Sequence, residues 1–456
     1  MHIGEPKIRV GIVAGRREIQ GCLHGVFLTS TGRDISGDFR FSIVAGKVVL
    51  STGSGAWPLA EREFRCRPHG TATFSLDDVT IGVNFHWQRQ EAQTFQGEIV
   101  VLPAAAGDTL TIVNEIPLED YLASVISSEM SASAPLEFLK AHAVTSRSWL
   151  MAMLERKAAA DRDDRGGSKP EVSPANAGIE GIFSAEEIIR WYGREEHARF
   201  DVCADDHCQR YQGVTKIISG QVRQAIDVTR GLLLVHDGGI CDARYHKACG
   251  GRTEDFSNVW EEASIPYLTS IADGPEVFPP VTSEMAADRW VHANPPAYCN
   301  TGDIAALRQV LPAFDQETTD FFRWEVSYAR EELEGLLFRK SGLDFGALYA
   351  LTPLERGPSG RIIRLKIAGS KRTLIVGKEL EIRRWLSPSH LYSSAFIVRS
   401  ERDAQGKVTR FTLHGAGWGH GVGLCQIGAA MMALRGFGME AILGHYFPGA
   451  SLRKLY

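Results

Sequence analysis

The sequence predicts an α+β protein, with a β-rich N-terminal domain ahead of a region that mixes helices and strands. Three observations carry this expectation. Short apolar runs (IRVGIV, KVVLS, GEIVVL) separated by Gly, Asp and Ser turns fill residues 1–105. Two strongly periodic helical segments follow within residues 116–156. Beyond them, helical and strand-like stretches alternate to residue 456 with no internal repeat.

Composition narrows the function classes. The 456 residues carry 50 Lys and Arg against 55 Asp and Glu, a net charge of −5. That balance sets up no strong field for nucleic acid or an anionic membrane. No run of about 18 apolar residues occurs, so no transmembrane segment is expected. Residues Met1–Val10 (MHIGEPKIRV) are too polar for the apolar part of a signal peptide. A removed leader and a cytoplasmic start both remain open. The eight cysteines are far too sparse for a disulfide scaffold.

The first helical segment lies in IPLEDYLASVISSEM, from Ile116 to Met130. Pro117 suits the first turn of a helix, and Glu119 and Asp120 suit its positive end. Leu118, Leu122 and Val125 fall on one face, and Glu129, four residues on, falls there too. Burial disfavours a charged carboxylate, and the raised pKa that follows suits a general acid. A carboxylate that pairs with an arginine or caps the next turn fits the same pattern. After SASA, Pro135 opens a second helix to about Arg156, which makes an αα-hairpin. It carries His142 and Arg147, each facing either Glu129 or solvent. Residues 159–180, charged and rich in Gly and Pro, read as an exposed loop. SAEEIIRWYGREE, residues 184–196, reads as a helix.

Three further constellations could carry chemistry. In GAGWGHGVGLCQIG, residues 415–428, glycine alternates with other residues. An extended strand would place Trp418 and His420 on one face as a sugar-stacking wall, with bare backbone opposite. Tight packing onto a neighbouring element fits the same spacing. In EEHARFDVCADDHCQ, the residues His197, Cys203, His207 and Cys208 offer two imidazoles and two thiols. Four such ligands complete a tetrahedral zinc site with no open position, which is a structural site. A Cys203–Cys208 disulfide and free thiols beside solvated histidines are the other readings. In CDARYHKACGGRT, Tyr245 and His246 precede a Gly-Gly turn, and either can line a cleft. The sequence holds no dinucleotide fingerprint, no HExxH and no GxSxG elbow.

Three of these blocks together resemble the stage II sporulation protein D (SpoIID)/LytB amidase-enhancer family. They are IPLEDYLASVISSEM…PLEFLKAHAVTSRSW, residues 116–149; FDVCADDHCQRYQG through ARYHKACGGRTEDFSNVW…PYL, residues 200–268; and GAGWGHGVGLCQIG through FPGA, residues 415–450. The resemblance implies a SpoIID-like catalytic region in two parts, residues 106–272 and 387–456, with residues 273–386 inserted and residues 1–105 additional. It implies a peptidoglycan lytic transglycosylase that cleaves the MurNAc–GlcNAc bond of glycan strands, with Glu129 as its acid. It also implies structural zinc on His197, Cys203, His207 and Cys208, and a substrate groove that includes His420 and Gln426. Arg147, Tyr245, His246 and Trp418 are further candidate substrate contacts from their positions in the blocks. A glycan-binding amidase enhancer without activity, partnered by a cell-wall amidase, is the rival reading. The expected setting is the cell envelope or the extracellular space, and no nucleic-acid partner is expected.

Overall fold

A computed structural model describes the chain except residues 1–3, 60–61, 84–87, 105–107, 164–178 and 193–196. The chain divides into two compact units. The first comprises residues 1–146, 196–232 and 454–456, and the second residues 147–195 and 233–453. These units cut across the sequence boundaries at 105, 272 and 386. The mixed α+β class and the β-rich N-terminal region expected from the sequence are both present.

The first unit is built on β1 (Lys7–Arg16), β2 (Glu18–Thr29), β3 (Asp34–Val44), β4 (Lys47–Thr52), β5 (Gly55–Leu59), β6 (Phe64–Pro68), β7 (Thr73–Ile81), β8 (Arg89–Gln96), β9 (Glu98–Pro103) and β10 (Leu110–Pro117). The sheet runs in the order β1-β10-β9-β6-β2-β3-β4-β5, with β7 bridging β2 and β8. Strand β9 pairs with β10 along its whole length, so the strands before and after the expected boundary at 105 belong to one sheet. The short strand Val202–Cys203 adds to β1 in parallel, with Val10 beside Val202 and Gly11 beside Cys203. Strand β10 ends at Pro117, and helix α1 (Leu118–Glu129) starts at the next residue.

Helix α1 departs from the amphipathic expectation. Every residue of it except Asp120 is buried, not only the Leu118–Leu122–Val125 stripe. A helix buried all round belongs to the interior, and an aromatic column joins it to the sheet. Phe27, Phe74, Phe95, Tyr211 and Tyr121 follow one another at ring separations of 6.3, 5.3, 5.9 and 5.3 Å. Helix α2 (Leu136–Asp163) completes the expected hairpin and runs further than the sequence periodicity suggests.

In the second unit, five strands pair in the order Ile179–Phe183, Glu187–Tyr192, Thr373–Gly377, Ile362–Gly369 and Leu348–Arg356. Its core gathers Trp385, Leu365, Ile382, Phe411 and Leu413. Two sequence expectations are corrected here. Residues 187–192 form a strand, not a helix, pairing antiparallel with 179–183 and parallel with 373–377. The run Ile-Ile-Arg-Trp-Tyr is β-branched and aromatic, and strand partners on both sides override its weak helical period. The GAGWGHGVG stretch leaves the sheet at Ala416 and continues as a loop. Of the loop expected at 159–180, residues 164–178 lie outside the described residues, and 159–163 continue α2.

The aromatic column makes a stability prediction. Phe95 is fully buried between Phe74 and Tyr211. Phe95→Ala is expected to cost about 3–5 kcal/mol in denaturant unfolding. A loss below about 1 kcal/mol would show that the column does not hold the unit together.

Candidate functional site

Glu129 ends α1 and is 7% exposed. A buried carboxyl group needs hydrogen bonds to stay ordered. The segment Gln209–Gln212 provides one as it runs beside the helix. Tyr121 donates its hydroxyl to Gln209 Oε1 at 3.1 Å. Arg210 N–H donates to Glu129 Oε1 at 3.0 Å. Gln212 N–H donates to Ser124 Oγ at 3.1 Å. The same four-residue segment thus touches α1 at three levels and fixes the orientation of the Glu129 carboxyl. Glu119, on the first turn of α1, is occupied differently: its Oε1 accepts from Gly231 N–H at 3.1 Å and from the Tyr456 hydroxyl.

The residue before Gln209 is Cys208, the last member of the Cys/His quartet. Ligand atoms of His197, Cys203, His207 and Cys208 all lie within 4.8 Å of one another. Cys208 Sγ is 3.4 Å from His197 Nε2 and 3.4 Å from His207 Nδ1, and Cys203 Sγ is 3.8 Å from His207 Nδ1. Hydrogen bonding to Cys208 pulls the Cys203 thiol well below the ordinary thiol range, with burial opposing and the two imidazoles adding. Two soft sulfurs and two imidazole nitrogens in this cluster have the donor chemistry of a closed tetrahedral zinc site.

Sequence reasoning missed Asp206. Its Oδ1 accepts from Arg210 Nε, and its Oδ2 is buried without a hydrogen-bond partner among the described residues. Burial raises its pKa, Arg210 opposes this, and the negative charge of Glu129 adds to it. The signal available in the sequence was the adjacent acidic pair, Asp205–Asp206, inside the Cys/His segment. Asp205 is spent on the backbone N–H groups of Gly82 and Val83, at 3.2 and 2.9 Å.

Trp418, His420, His246, Tyr245 and Gln426 belong to the second unit, as does Arg147. The glycines around Trp418 and His420 do not offer bare backbone to a ligand. They are left-handed turn positions packed against neighbours. A Cβ on Gly421, at φ 85°, would meet the Arg361 guanidinium at 2.5 Å; one on Gly423, at φ 74°, would meet Arg244 O at 2.2 Å. Packing therefore explains the alternation, and the expected sugar-stacking strand face is corrected. Trp418 still joins an aromatic cluster, 4.4 Å from the Tyr392 ring and 4.7 Å from Phe321.

The two histidines come together. His420 lies 5.5 Å from His246 and 5.0 Å from Trp260, ring to ring. His246 Nδ1 is 3.1 Å from Val422 O, so it carries the proton and Nε2 carries the lone pair. That buried Nε2 has no hydrogen-bond partner among the described residues. His420 Nδ1 accepts from Val422 N–H at 3.1 Å, which puts its proton on Nε2. One ring thus offers an acceptor and the other a donor. Burial, helped by the charge of Arg361, pushes His246 down to about 3. Burial, with His246, Arg244 and Arg361 adding, holds His420 well below its ordinary value. Tyr245 is partly exposed, while Gln426, at the start of helix Gln426–Leu434, is buried. Arg147 is fully buried, so its solvent-facing alternative is excluded.

Comparison with known proteins bears on both units. Residues 106–236 match the family model described as Stage II sporulation protein (SpoIID). Residues 254–423 match a domain of unknown function, DUF8618. The stage II sporulation protein D of Bacillus amyloliquefaciens is 24% identical over 75% of this chain and 76% of its own length. An uncharacterized protein of Brachyspira hyodysenteriae is 25% identical over 78% of this chain and 72% of its own. The amidase enhancer of Bacillus subtilis is 24% identical, over 51% of this chain and 33% of its own.

The two histidines, both held below the ordinary imidazole range, predict a pH dependence. A histidine held neutral stabilises the fold fully above about pH 6.5, and that contribution is lost as pH falls, because the unfolded chain then binds the extra proton. Relative to His420→Gln, the wild type is expected to lose about 1.4 kcal/mol per pH unit below about pH 6.5. Denaturant melts of both proteins from pH 7 to pH 4 measure this. Parallel stability curves would mean that His420 is accessible to protons in the folded state.

Proposed function

We propose that this chain, which belongs to the SpoIID family, is a peptidoglycan lytic transglycosylase with Glu129 as its general acid and base. The observation that carries the reading is a single buried carboxyl group at the end of α1, oriented by the Arg210 N–H. The resemblance of residues 116–130 to the family supports the same choice of residue.

The chemistry needs only one carboxyl group. Protonated Glu129 gives its proton to the glycosidic oxygen between N-acetylmuramic acid and N-acetylglucosamine as the C1–O bond breaks. The 6-hydroxyl oxygen of the same muramic acid bonds to the electron-poor C1. Its proton returns to Glu129, and the new chain end is a 1,6-anhydro sugar. A glycosidase that uses water or forms a covalent intermediate works with two carboxyl groups. Here the nucleophile is tethered to the substrate, and proximity supplies much of the rate. Glu119 lies at the opposite end of α1 from Glu129, and both oxygens of Asp205 accept from the Gly82 and Val83 N–H groups. Asp206 acts through Arg210, which it grips by Nε while the Arg210 N–H holds Glu129.

Zinc on His197, Cys203, His207 and Cys208 is part of the proposal, in a structural role. The ion would end the quartet one residue before Gln209 and so brace the segment that orients Glu129. The donor set has no open position for substrate. Trp418, His420 and His246 are proposed to bind glycan, with one imidazole acceptor and one donor for sugar amides and hydroxyls. The proposed setting is the cell envelope. The match to an amidase enhancer supports a cell-wall amidase as a partner and keeps a purely glycan-binding role as the second reading.

Two measurements test this. Purified glycan strands, with and without stem peptides, are incubated with wild type and with Glu129→Gln, and the products are read by mass spectrometry. Anhydro-muramoyl ends from wild type are expected, falling at least ~100-fold in the variant. Reducing ends would identify a hydrolase, and binding without cleavage by either protein would leave the enhancer role. In the second, Cys208→Ser is expected to lower the melting temperature by several degrees while activity falls only as far as the folded fraction does. Full activity loss in a fully folded Cys208→Ser protein would mean that the ion takes part in the reaction.

A further inference from the structure

A second cluster of metal-ligating side chains lies in the other unit, apart from the Cys/His motif: Cys249 and Cys425 stand in blocks that carry the family resemblance, and Asp273 and Cys299 stand outside them. Cys249, Asp273, Cys299 and Cys425 are all buried, and one ligand atom from each falls within 4.8 Å of the others. Cys249 Sγ is 3.4 Å from Cys299 Sγ and 2.9 Å from Asp273 Oδ2. In a tetrahedral zinc site with Zn–S near 2.3 Å, neighbouring sulfurs stand about 3.8 Å apart. The cluster is therefore already close to the size of an occupied site.

The surroundings are those of a thiolate site. Backbone N–H groups point at the sulfurs: Gly251 N to Cys249 Sγ at 3.2 Å, Cys249 N to Cys425 Sγ at 3.3 Å and Gly428 N to Cys425 Sγ at 3.4 Å. Cys425 also caps the helix Gln426–Leu434, whose N-terminus favours negative charge. The other oxygen of Asp273 is held by the Tyr446 hydroxyl at 2.7 Å and by His445 Nε2 at 3.3 Å. Such outer partners orient a ligating carboxylate. Three thiolates and a carboxylate around a divalent ion leave a net negative charge. Two guanidinium groups stand beside it to offset this, with Arg361 donating to Cys249 O at 3.3 Å and Arg323 to Gly250 O at 3.0 Å. Gly428 leaves the space open: a Cβ there would meet Asp273 Oδ2 at 2.7 Å and the Tyr446 hydroxyl at 2.4 Å.

We propose that Cys249, Cys299, Cys425 and Asp273 form a second, structural metal site for a thiophilic divalent cation, with zinc the best fit to a closed set of three sulfurs and one oxygen. A Cys249–Cys299 disulfide is the competing use of these residues. It would employ two of three converging sulfurs and leave Cys425 and Asp273 Oδ2 outside the bond. The ion would tie the Cys249–Gly251 turn to the end of the loop that carries Trp418 and His420.

The test is metal counting on the full chain, purified without chelator from zinc-supplemented medium. Native mass spectrometry is expected to find two zinc ions per chain. Cys208→Ser, which breaks the Cys/His quartet, and Cys299→Ser should each retain one. Where a variant does not fold, the zinc-edge absorption spectrum of the wild type decides. A second site adds three sulfurs and one oxygen to the two sulfurs and two nitrogens of the quartet. A wild-type protein with no zinc, or with one zinc in a two-sulfur, two-nitrogen environment, overturns the proposal. So does a Cys249–Cys299 bond found by non-reducing peptide mapping.

Discussion

The first unit depends on how a helix that is buried on nearly every side keeps its polar groups satisfied. Helix α1 has no solvent face to which Ser124, Ser127, Ser128 or Glu129 could turn. Ser127 and Ser128 bond back to the carbonyls of Ala123 and Ser124, both at 2.8 Å. Ser124 Oγ and the Glu129 carboxyl are satisfied from outside the helix, by the backbone of Gln212 and Arg210. An unmatched buried polar group costs roughly 1–3 kcal/mol, so the Gln209–Gln212 segment cannot shift without a penalty paid at several atoms together. That linkage makes Glu129 a fixed group rather than a side chain on a mobile helix end.

The fixity must itself come from somewhere, and two anchors flank the segment. On one side the Cys/His quartet ends at Cys208, with the strand Val202–Cys203 tied to β1. Within the segment, Tyr211 stacks between Phe95 and Tyr121. One anchor is polar and depends on its ligands, and the other is apolar and depends on area. Asp206 and Arg210 lie between them as a largely buried ion pair.

Much of this was legible in the sequence because it is local. Glu129 and the four Cys/His residues stand in short blocks, where spacing alone brings side chains together. The hairpin of α1 and α2 was equally readable from Pro117, Pro135 and the apolar period. The misreadings share a physical cause. Alternating glycine in residues 415–423 has the period of a strand, but period two does not distinguish extended backbone from a chain of left-handed turns. Residues 187–192 became a strand because of partners at 179–183 and at 373–377, and the second of these lies far away in sequence. Asp273 and Cys299 carry no local pattern at all. Only the fold brings them to Cys249 and Cys425.

The two clusters follow one logic at different sequence ranges. Each ends in a cysteine immediately before a buried segment: Cys208 before Gln209 and Cys425 before Gln426. Four convergent ligands can fix such a segment in few residues, because a metal replaces many weak contacts by a few strong directional bonds. A hydrophobic brace of equal stiffness would need bulk, which Gly428 beside Asp273 and the glycines at 421 and 423 exclude. Close packing around these loops thus favours the compact cross-link proposed for the unit that holds His246 and His420 over a hydrophobic brace.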